Sequence, residues 1–284
     1  VEALLLWDPQ VRLAEFDSVH KMRVAVRRIR SVLKSYRPVL KRRATDPLQP
    51  ELKWLADVLG EVRDLEVLRD RFEGRLRSLP GELTGESGPS WLAELAVQEE
   101  EAYVRVNAAL SSARYFALLD ALEELLAAPA LTKRAGREAA QELPRLIRRA
   151  WDRMVEAHVA VDFLVEENAD SRDIDLAQHE TRKAAKRARY TADAGSEVLG
   201  KPAKKVSKAA KSLQEILGRH QDGVIAQERL LAMTAADKDE AFVLGVLYGL
   251  ERCEADSALD HIDAAWSAAT DSAELSLLAD GPAA

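Results

Sequence analysis

Apolar residues recur at steps of three and four along most of this 284-residue chain, which is the spacing of one face of an α-helix. The clearest run consists of Met22, Val26, Ile29, Leu33, Tyr36 and Leu40. No β-branched stretch alternates between apolar and polar residues over the length of a strand. The pattern therefore predicts an all-α protein.

Proline, glycine and small polar residues predict where the helices begin and end. Helices are expected at residues 1–14, 18–37, about 50–78, 90–127, 137–166, 172–198, 202–234 and 239–269. The basic helix is expected to end near Arg37 because Pro38 disfavours a helical residue before it. A break is expected near Ser111–Arg114, a loop at residues 80–89 and a linker at Pro129–Gly136.

Two stretches return later in the chain in the same order, which indicates an internal repeat. His20-x-x-Arg23-x-x-x-Arg27-Arg28-x-Arg30 returns as His179-x-x-Arg182-x-x-x-Lys186-Arg187-x-Arg189. Leu55-x-x-x-Leu59-Gly60-x-x-Arg63-Asp64 returns as Leu213-x-x-x-Leu217-Gly218-x-x-Gln221-Asp222. We interpret residues 1–284 as a single domain made of two four-helix repeats, a first copy at 1–128 and a second copy at 137–270, followed by a loose tail at 271–284.

Positive charge is concentrated in one helix, although the whole chain is net acidic at −7. The 28 residues from Ser18 to Thr45 hold ten Lys or Arg and no Asp or Glu. One helical stripe in this segment consists of His20, Arg23, Arg27, Arg30, Lys34 and Arg37. Exposed helices ordinarily mix signs so that i,i+4 ion pairs form, and like charges along one stripe repel each other. We therefore expect a counter-anion, and the rise of roughly 4.5–6 Å between stripe positions suits an extended polyanion.

The second copy repeats this stripe and extends it. From residue 179 to residue 211, ten Lys or Arg stand against three acids. The candidate binding residues of its basic helix are His179, Arg182, Lys183, Lys186, Arg189 and Tyr190. Lys204, Lys208 and Lys211 form a further stripe on the next helix, and Lys53 is the first-copy equivalent of Lys211. Small residues on the packing face, such as Ala185 and Ala188, predict a close approach by a neighbouring helix.

Each copy also carries a glycine and an aspartate at matching positions in the following helix. Gly60 and Gly218 lie inside predicted helices, where glycine costs about 1 kcal/mol relative to alanine, so we expect a close helix crossing there. Asp64 and Asp222 are expected to pair with an arginine of the basic helices and to hold it rigid.

The two repeated histidines offer neither a metal site nor a catalytic site. His20 and His179 stand without an HExxH motif, a nearby carboxylate pair or an adjacent nucleophile. Because each stands at the head of a cationic row, we interpret both as donors to phosphate. We predict no catalytic residue, no metal and no cofactor.

Composition narrows the class of protein. A hydrophobic content of 47% with 31% charged residues is typical of a globular chain. The single cysteine, Cys253, excludes an intrachain disulfide and suits a reducing compartment, so we expect a cytoplasmic location. No apolar run approaches 18 residues, so we expect no membrane span.

The segments HKMRVAVRRIRSVLKSYRPVL and LKWLADVLGEVRDLEVLRDRF, with HETRKAAKRARY and LQEILGRHQDGVIA, resemble the CHAD family, the conserved histidine α-helical domain. The resemblance implies two four-helix bundles related by a pseudo-twofold axis, with a basic cleft between them. It also implies non-catalytic binding of inorganic polyphosphate, and some relatives associate with polyphosphate or polyester granules. By position, the binding residues implied are His20, Arg23, Arg27, Arg30, Lys34, His179, Arg182, Lys186 and Arg189.

Three alternatives remain open from the sequence. The same cations suit nucleic acid, although the basic stripes carry few aromatic residues that would stack on bases. The chain is alternatively a phosphoryl-transfer enzyme or an accessory module of enzymes that metabolise polyphosphate. A scaffold that binds an acidic protein partner is the third alternative.

Overall fold

The structure is a computed structural model, and it describes residues 1–81 and 89–270. These residues are almost entirely helical, so the predicted all-α class is confirmed. The helices are α1 (Glu2–Arg12), α2 (Ser18–Ser35), α3 (Arg42–Thr45), α4 (Leu48–Ser78), α5 (Ser90–Leu110), α6 (Ala113–Ala127), α7 (Ala139–Glu166), α8 (Ser171–Leu199), α9 (Lys201–Leu231), α10 (Lys238–Leu259) and α11 (Ile262–Thr270). A short 3-10 helix, Lys133–Gly136, lies in the predicted linker.

Local sequence signals account for most helix ends. The basic helix α2 follows Asp17, whose φ is 60°, and α4 follows Pro47. The predicted break before α6 is present, and the Ser112 side chain accepts a hydrogen bond from the backbone N–H of Tyr115 there. Gly200 separates α8 from α9 with a φ of 64°, a left-handed conformation that glycine adopts without strain.

The prediction of one helix at 239–269 is wrong in one respect, because the structure has two helices there, α10 and α11. The break at Asp260 and His261 contains neither glycine nor proline, so no local signal marked it. The central part of the predicted loop at 80–89 and the predicted tail at 271–284 lie outside the described residues.

The chain divides into two compact units, and neither is a single run of sequence. The first unit contains Val1–Leu33, Leu40–Leu131 and Ala226–Leu250. The second unit contains Lys34–Val39, Thr132–Ile225 and the described residues from Glu251 onward. The repeats at 1–128 and 137–270 stay a prediction about the sequence, as does the cleft implied by the family resemblance.

The first unit buries the apolar stripe of its basic helix. Met22 and Val26 of α2 are fully buried and belong to one cluster with Leu55 and Leu59 of α4. A second cluster in the same unit includes Phe72 and Trp91, whose rings meet edge to face with centroids 5.9 Å apart. Each fully buried large side chain contributes roughly 1.5–3 kcal/mol, so this packing anchors α2 and α4.

The second unit has a core of smaller side chains. Ala185, Ala188 and Ala192 of α8 are fully buried in one cluster with Ala203 and Ala210 of α9. Alanine removes little surface from water, but it allows two helices to approach closely. These are the positions that the sequence predicted for the packing face of α8.

Candidate functional site

In the first unit, Arg23 extends from α2 to α4. Its Nη1 lies 3.2 Å from Oδ1 of Asp64. A Cβ placed on Gly60, one turn before Asp64, would lie 3.4 Å from Nη2 of Arg23, and its three nearest neighbours are all guanidinium atoms. The guanidinium therefore lies against the glycine while the aspartate holds one of its edges.

The second unit repeats this arrangement with Arg182. Its Nη2 lies 3.5 Å from Oδ1 of Asp222, and a Cβ on Gly218 would lie 3.4 Å from its Nε. The predicted pairing of the repeated aspartates with arginines is thus confirmed in both copies. The close approach predicted at Gly60 and Gly218 is made by an arginine side chain, and not by the backbone of a crossing helix.

These ion pairs position the arginines more than they stabilise the fold. The Asp64 side chain is 63% exposed and the Asp222 side chain 44% exposed, whereas Arg23 and Arg182 are 26% and 19% exposed. A pair with one such exposed partner contributes only about 0–1 kcal/mol. The consequence is a guanidinium with restricted orientation, which suits forked recognition of an oxyanion.

The repeated histidines differ in their surroundings. Nδ1 of His179 lies 2.9 Å from the amide oxygen of Gln221. Burial lowers the pKa of His179, with the charge of Lys183 acting in the same direction. Burial also lowers the pKa of His20, and there the next largest cause is the charge of Arg63, the first-copy equivalent of Gln221. Each imidazole is therefore held toward its neutral form in the protein without a ligand.

A polar network lies next to His20 in the first copy. Arg63 Nη1 lies 3.1 Å from Oε2 of Glu66, and the Tyr103 hydroxyl donates to Oε1 of the same carboxylate at 2.8 Å. Glu66 and Tyr103 were not predicted from the sequence. Only the position of Arg63 within the repeated motif pointed to this network.

The other candidate residues of the first copy are either half-buried or exposed. Arg27 and Arg30 are half-buried on α2. Among the described residues, no carboxylate forms an ion pair with Arg30, and its Nε is buried without a hydrogen-bond acceptor. Lys34 and Arg37 are exposed and belong to the second unit, and Lys53 is exposed and lies 2.6 Å from Oδ2 of Asp57.

In the second copy, several candidates have partners on α8 or α9. Arg189 Nη1 lies 3.3 Å from Oε1 of Gln214, and its guanidinium lies 5.5 Å from the ring centre of the half-buried Tyr190. Lys183 pairs with Glu180 at 2.6 Å, and Lys211 pairs with Glu215 at 3.3 Å. Such i,i+3 and i,i+4 pairs on exposed surfaces partly offset the positive charge.

The remaining lysines differ in exposure. Lys186 is half-buried on α8, while Lys204 and Lys208 are exposed on α9. Neither Lys204 nor Lys208 pairs with a carboxylate of the described chain. The second unit therefore keeps exposed positive charge on α9, ten and fourteen residues before Gly218 in the sequence.

One neighbour of the repeated motif has a different role from the one expected. From the sequence alone, Arg219, His220 and Gln221, which directly follow Gly218, are expected to add donors in the second copy. His220 is instead buried, with Nε2 3.1 Å from Oδ1 of Asp175 and Nδ1 3.1 Å from the carbonyl oxygen of Ala255. It connects three segments of the second unit and is unavailable to a ligand.

Within residues 1–81 and 89–270, no group of three or more His, Cys, Asp or Glu side chains is arranged to hold a metal ion. No helix in that part of the chain has the length and apolar character needed to cross a membrane.

Comparison with known proteins finds a matching family and curated relatives. A family model described as CHAD domain matches residues 1–231. The chain is 38% identical over 269 residues to "Uncharacterized protein Rv2226" of Mycobacterium tuberculosis strain ATCC 25618 / H37Rv. It is 37% identical over 269 residues to "Uncharacterized protein MT2285" of strain CDC 1551 / Oshkosh. Each match covers 93% of this chain and 50% of the relative, so the chain spans about half the length of these curated relatives.

Solved structures share the fold at lower sequence identity. PptA from Streptomyces chartreusis aligns with a TM-score of 0.73 and 20% identity, over 94% of both chains. The CHAD domain from the plant Ricinus communis aligns with a TM-score of 0.66 and 23% identity, over 94% of this chain and 87% of that chain.

Proposed function

This chain belongs to the CHAD domain family, and from that membership we propose that its basic helices bind inorganic polyphosphate without turning it over. The sequence resemblance to the family implies this ligand. The observation that carries the proposal is the positioned arginine of each copy, Arg23 or Arg182, which follows a histidine by three residues and lies between a glycine and an aspartate.

The chemistry of these side chains suits a phosphate chain. An arginine presents several N–H donors in one plane and pairs with phosphate oxygens through parallel hydrogen bonds. The lysines of α9 contribute point charges that follow a flexible anion without requiring one geometry. A polyphosphate carries charge on every phosphate, so it offsets the repulsion along a stripe that contains no acid from Ser18 to Thr45.

The net charge of the whole protein supports a localised binding surface. With a net charge of −7, the protein as a whole repels a polyanion, so we expect the attraction to come from the basic helices. Binding of this kind releases counterions and weakens as salt rises. A steep, linear fall of log affinity with log salt is therefore expected.

Nucleic acid is the second candidate ligand, because its backbone presents the same anionic groups. One observation favours it, the half-buried ring of Tyr190 beside the Arg189 guanidinium. A single aromatic residue offers stacking for few bases, whereas single-strand binders rely on several. Polyphosphate, which has no bases to stack, is the better match.

One competition titration tests whether the ligand is polyphosphate, nucleic acid or an acidic protein. Fluorescently labelled long-chain polyphosphate is bound to the protein at fixed salt and then competed with unlabelled polyphosphate, single-stranded DNA, RNA or an acidic protein at matched charge concentration. We expect unlabelled polyphosphate to compete far better than the others. Equal competition by DNA or RNA would overturn the proposal in favour of nucleic-acid binding, and preferential competition by the protein would favour the scaffold.

The absence of turnover is part of the proposal. Incubation of the protein with polyphosphate and Mg²⁺ or Mn²⁺ is expected to leave chain length unchanged, as read by gel electrophoresis and phosphate release. Phosphate release that His20→Ala abolishes would instead identify an enzyme. Association with polyphosphate or polyester granules, a role as an accessory module of phosphoryl-transfer enzymes and a cytoplasmic location also remain proposals.

A further inference from the structure

Glycine occupies the same position beneath the positioned arginine in both copies. Gly60 and Gly218 lie in the interiors of α4 and α9, where glycine disfavours the helix. The atoms nearest to a Cβ at each position belong to the guanidinium of Arg23 or Arg182. In both α4 and α9, therefore, a glycine that disfavours the helix lies against the guanidinium of the repeated arginine.

The distances define how much space the glycine provides. At 3.4 Å, the Cβ of an alanine would make ordinary van der Waals contact with the guanidinium, so alanine fits with little displacement. A longer side chain would occupy the volume that the guanidinium fills. Gly74 on the same helix α4 is different, because its Cβ would have only the end of Arg77 nearby, at 3.9 Å.

We propose that Gly60 and Gly218 are positioning residues for phosphate binding, because the absence of a long side chain at each position allows the guanidinium of the facing arginine to lie against the opposite helix. Asp64 or Asp222 then holds one edge of that guanidinium, which fixes the orientation in which the arginine side chain meets a phosphate of the polyanion. This inference rests on the proposed function, since it assigns the preorganised donor of the same site.

The test compares leucine at the two glycines of α4. Affinity for long-chain polyphosphate is measured for Gly60→Leu, Gly60→Ala and Gly74→Leu across a salt series, with thermal unfolding recorded for every variant. We expect Gly60→Leu to weaken binding about tenfold and to reduce the salt slope by about one, as for the loss of one charge-assisted phosphate contact. Gly60→Ala and Gly74→Leu are expected to bind within about twofold of the unchanged protein.

A double variant separates positioning from a general structural role. In Arg23→Ala, the volume of the guanidinium is vacant, so adding Gly60→Leu is expected to cause no further loss of affinity. The double variant is also expected to have a higher unfolding temperature than Gly60→Leu alone. The affinities of Arg23→Ala and the double variant can therefore be compared even where Gly60→Leu alone folds poorly. The pair Gly218→Leu and Arg182→Ala repeats the test in the second unit.

The outcomes distinguish this inference from the function on which it rests. Additive losses of affinity in the double variant, or unchanged affinity in a folded Gly60→Leu protein, would overturn the positioning role alone. A protein that binds no polyphosphate before any substitution would overturn the proposed function.

Discussion

The imidazole of His179 lies 2.9 Å from the amide oxygen of Gln221, whereas His20, its counterpart in the first copy, faces the charge of Arg63. Both histidines have a lowered pKa, chiefly because each is half-buried. The same motif therefore holds two imidazoles that are both shifted toward the neutral form, and the two differ in the side chain at the position of Arg63 or Gln221.

We predict that polyphosphate binds more tightly at about pH 6 than at about pH 8. A bound phosphate favours the charged imidazole and raises its pKa above that of the free protein. Affinity therefore grows as the pH falls through the pKa of the complex, and it levels off below the pKa of the free protein. Isothermal titration at several pH values, with phosphate ionisation corrected from the ligand alone, checks this prediction.

The charged groups around each histidine define the control for that experiment. His20 is surrounded by Asp17, Arg23, Arg63 and Glu66, and His179 by Glu180, Arg182 and Lys183. A variant with both histidines changed to asparagine is expected to lose the pH dependence, and a flat profile before substitution would remove the histidines from the site.

The hydrogen bond to Gln221 gives a second prediction that needs no ligand. Gln221→Glu places a carboxylate beside His179 and is expected to raise its pKa, because an opposite charge favours the imidazolium. Gln221→Arg copies Arg63 of the first copy and is expected to lower the pKa of His179. NMR titration of the imidazole protons checks both, with His20 in the other unit as the internal control, and equal pKa values in the two variants would contradict the contact.

Much of this site could be predicted from sequence because its signals are local or repeated. The pairing of Asp64 and Asp222 with an arginine of the basic helices was predicted from two motifs that recur in the same order, and the structure identifies the partners as Arg23 and Arg182. Helix boundaries next to Pro47 and Gly200 were predicted for the same reason, since these residues constrain the backbone directly.

Other features depend on tertiary contacts that no local pattern encodes. Residues 226–250 cluster with the first unit, although the repeat in the sequence assigns them to the second copy. The burial of His220 depends on Asp175 and Ala255, which are remote from it in sequence. The glycines were recognised as an anomaly, but only the structure shows that a guanidinium, and not a helix, lies against them.

A third prediction concerns two cations at equivalent positions of the copies, Arg27 and Lys186. We expect the double variant Arg27→Ala/Lys186→Ala to weaken polyphosphate binding by about tenfold or more, because each change removes one cationic contact. The unfolding temperature is expected to change little. The matched control is Arg105→Ala/Arg252→Ala, which removes the same charge from arginines 53% and 67% exposed on α5 and α10.

These two double variants are compared by titration at one salt concentration. Equal losses of affinity would mean that net charge alone governs binding. A large fall in the unfolding temperature of Arg27→Ala/Lys186→Ala would show instead that the two residues act in the fold.

A fourth prediction concerns the carboxylate at the start of α7. The Glu142 side chain is only 5% exposed, and the guanidinium groups of Arg134, Arg137 and Arg145 approach it. Glu142→Gln removes the charge that offsets their mutual repulsion, so we expect the free energy of unfolding to fall by about 1–3 kcal/mol. The exposed Glu138→Gln is the control, with an expected change within about 0.5 kcal/mol, and urea unfolding measures both.

The last prediction contrasts two helix glycines that have opposite surroundings. A Cβ on Gly223 of α9 would lie 2.8 Å from the Cβ of Ala255 and 3.2 Å from the carbonyl oxygen of Glu251. Because backbone and Cβ atoms cannot move aside, Gly223→Ala is expected to destabilise the protein by about 1–3 kcal/mol. At Gly60 the neighbour is the end of a flexible arginine, so Gly60→Ala is expected to be neutral or to stabilise by up to about 1 kcal/mol through helix propensity. Urea unfolding of both variants tests this prediction. Changes of the same sign and similar size in the free energy of unfolding would contradict the contrast between a helix contact at Gly223 and a side-chain contact at Gly60.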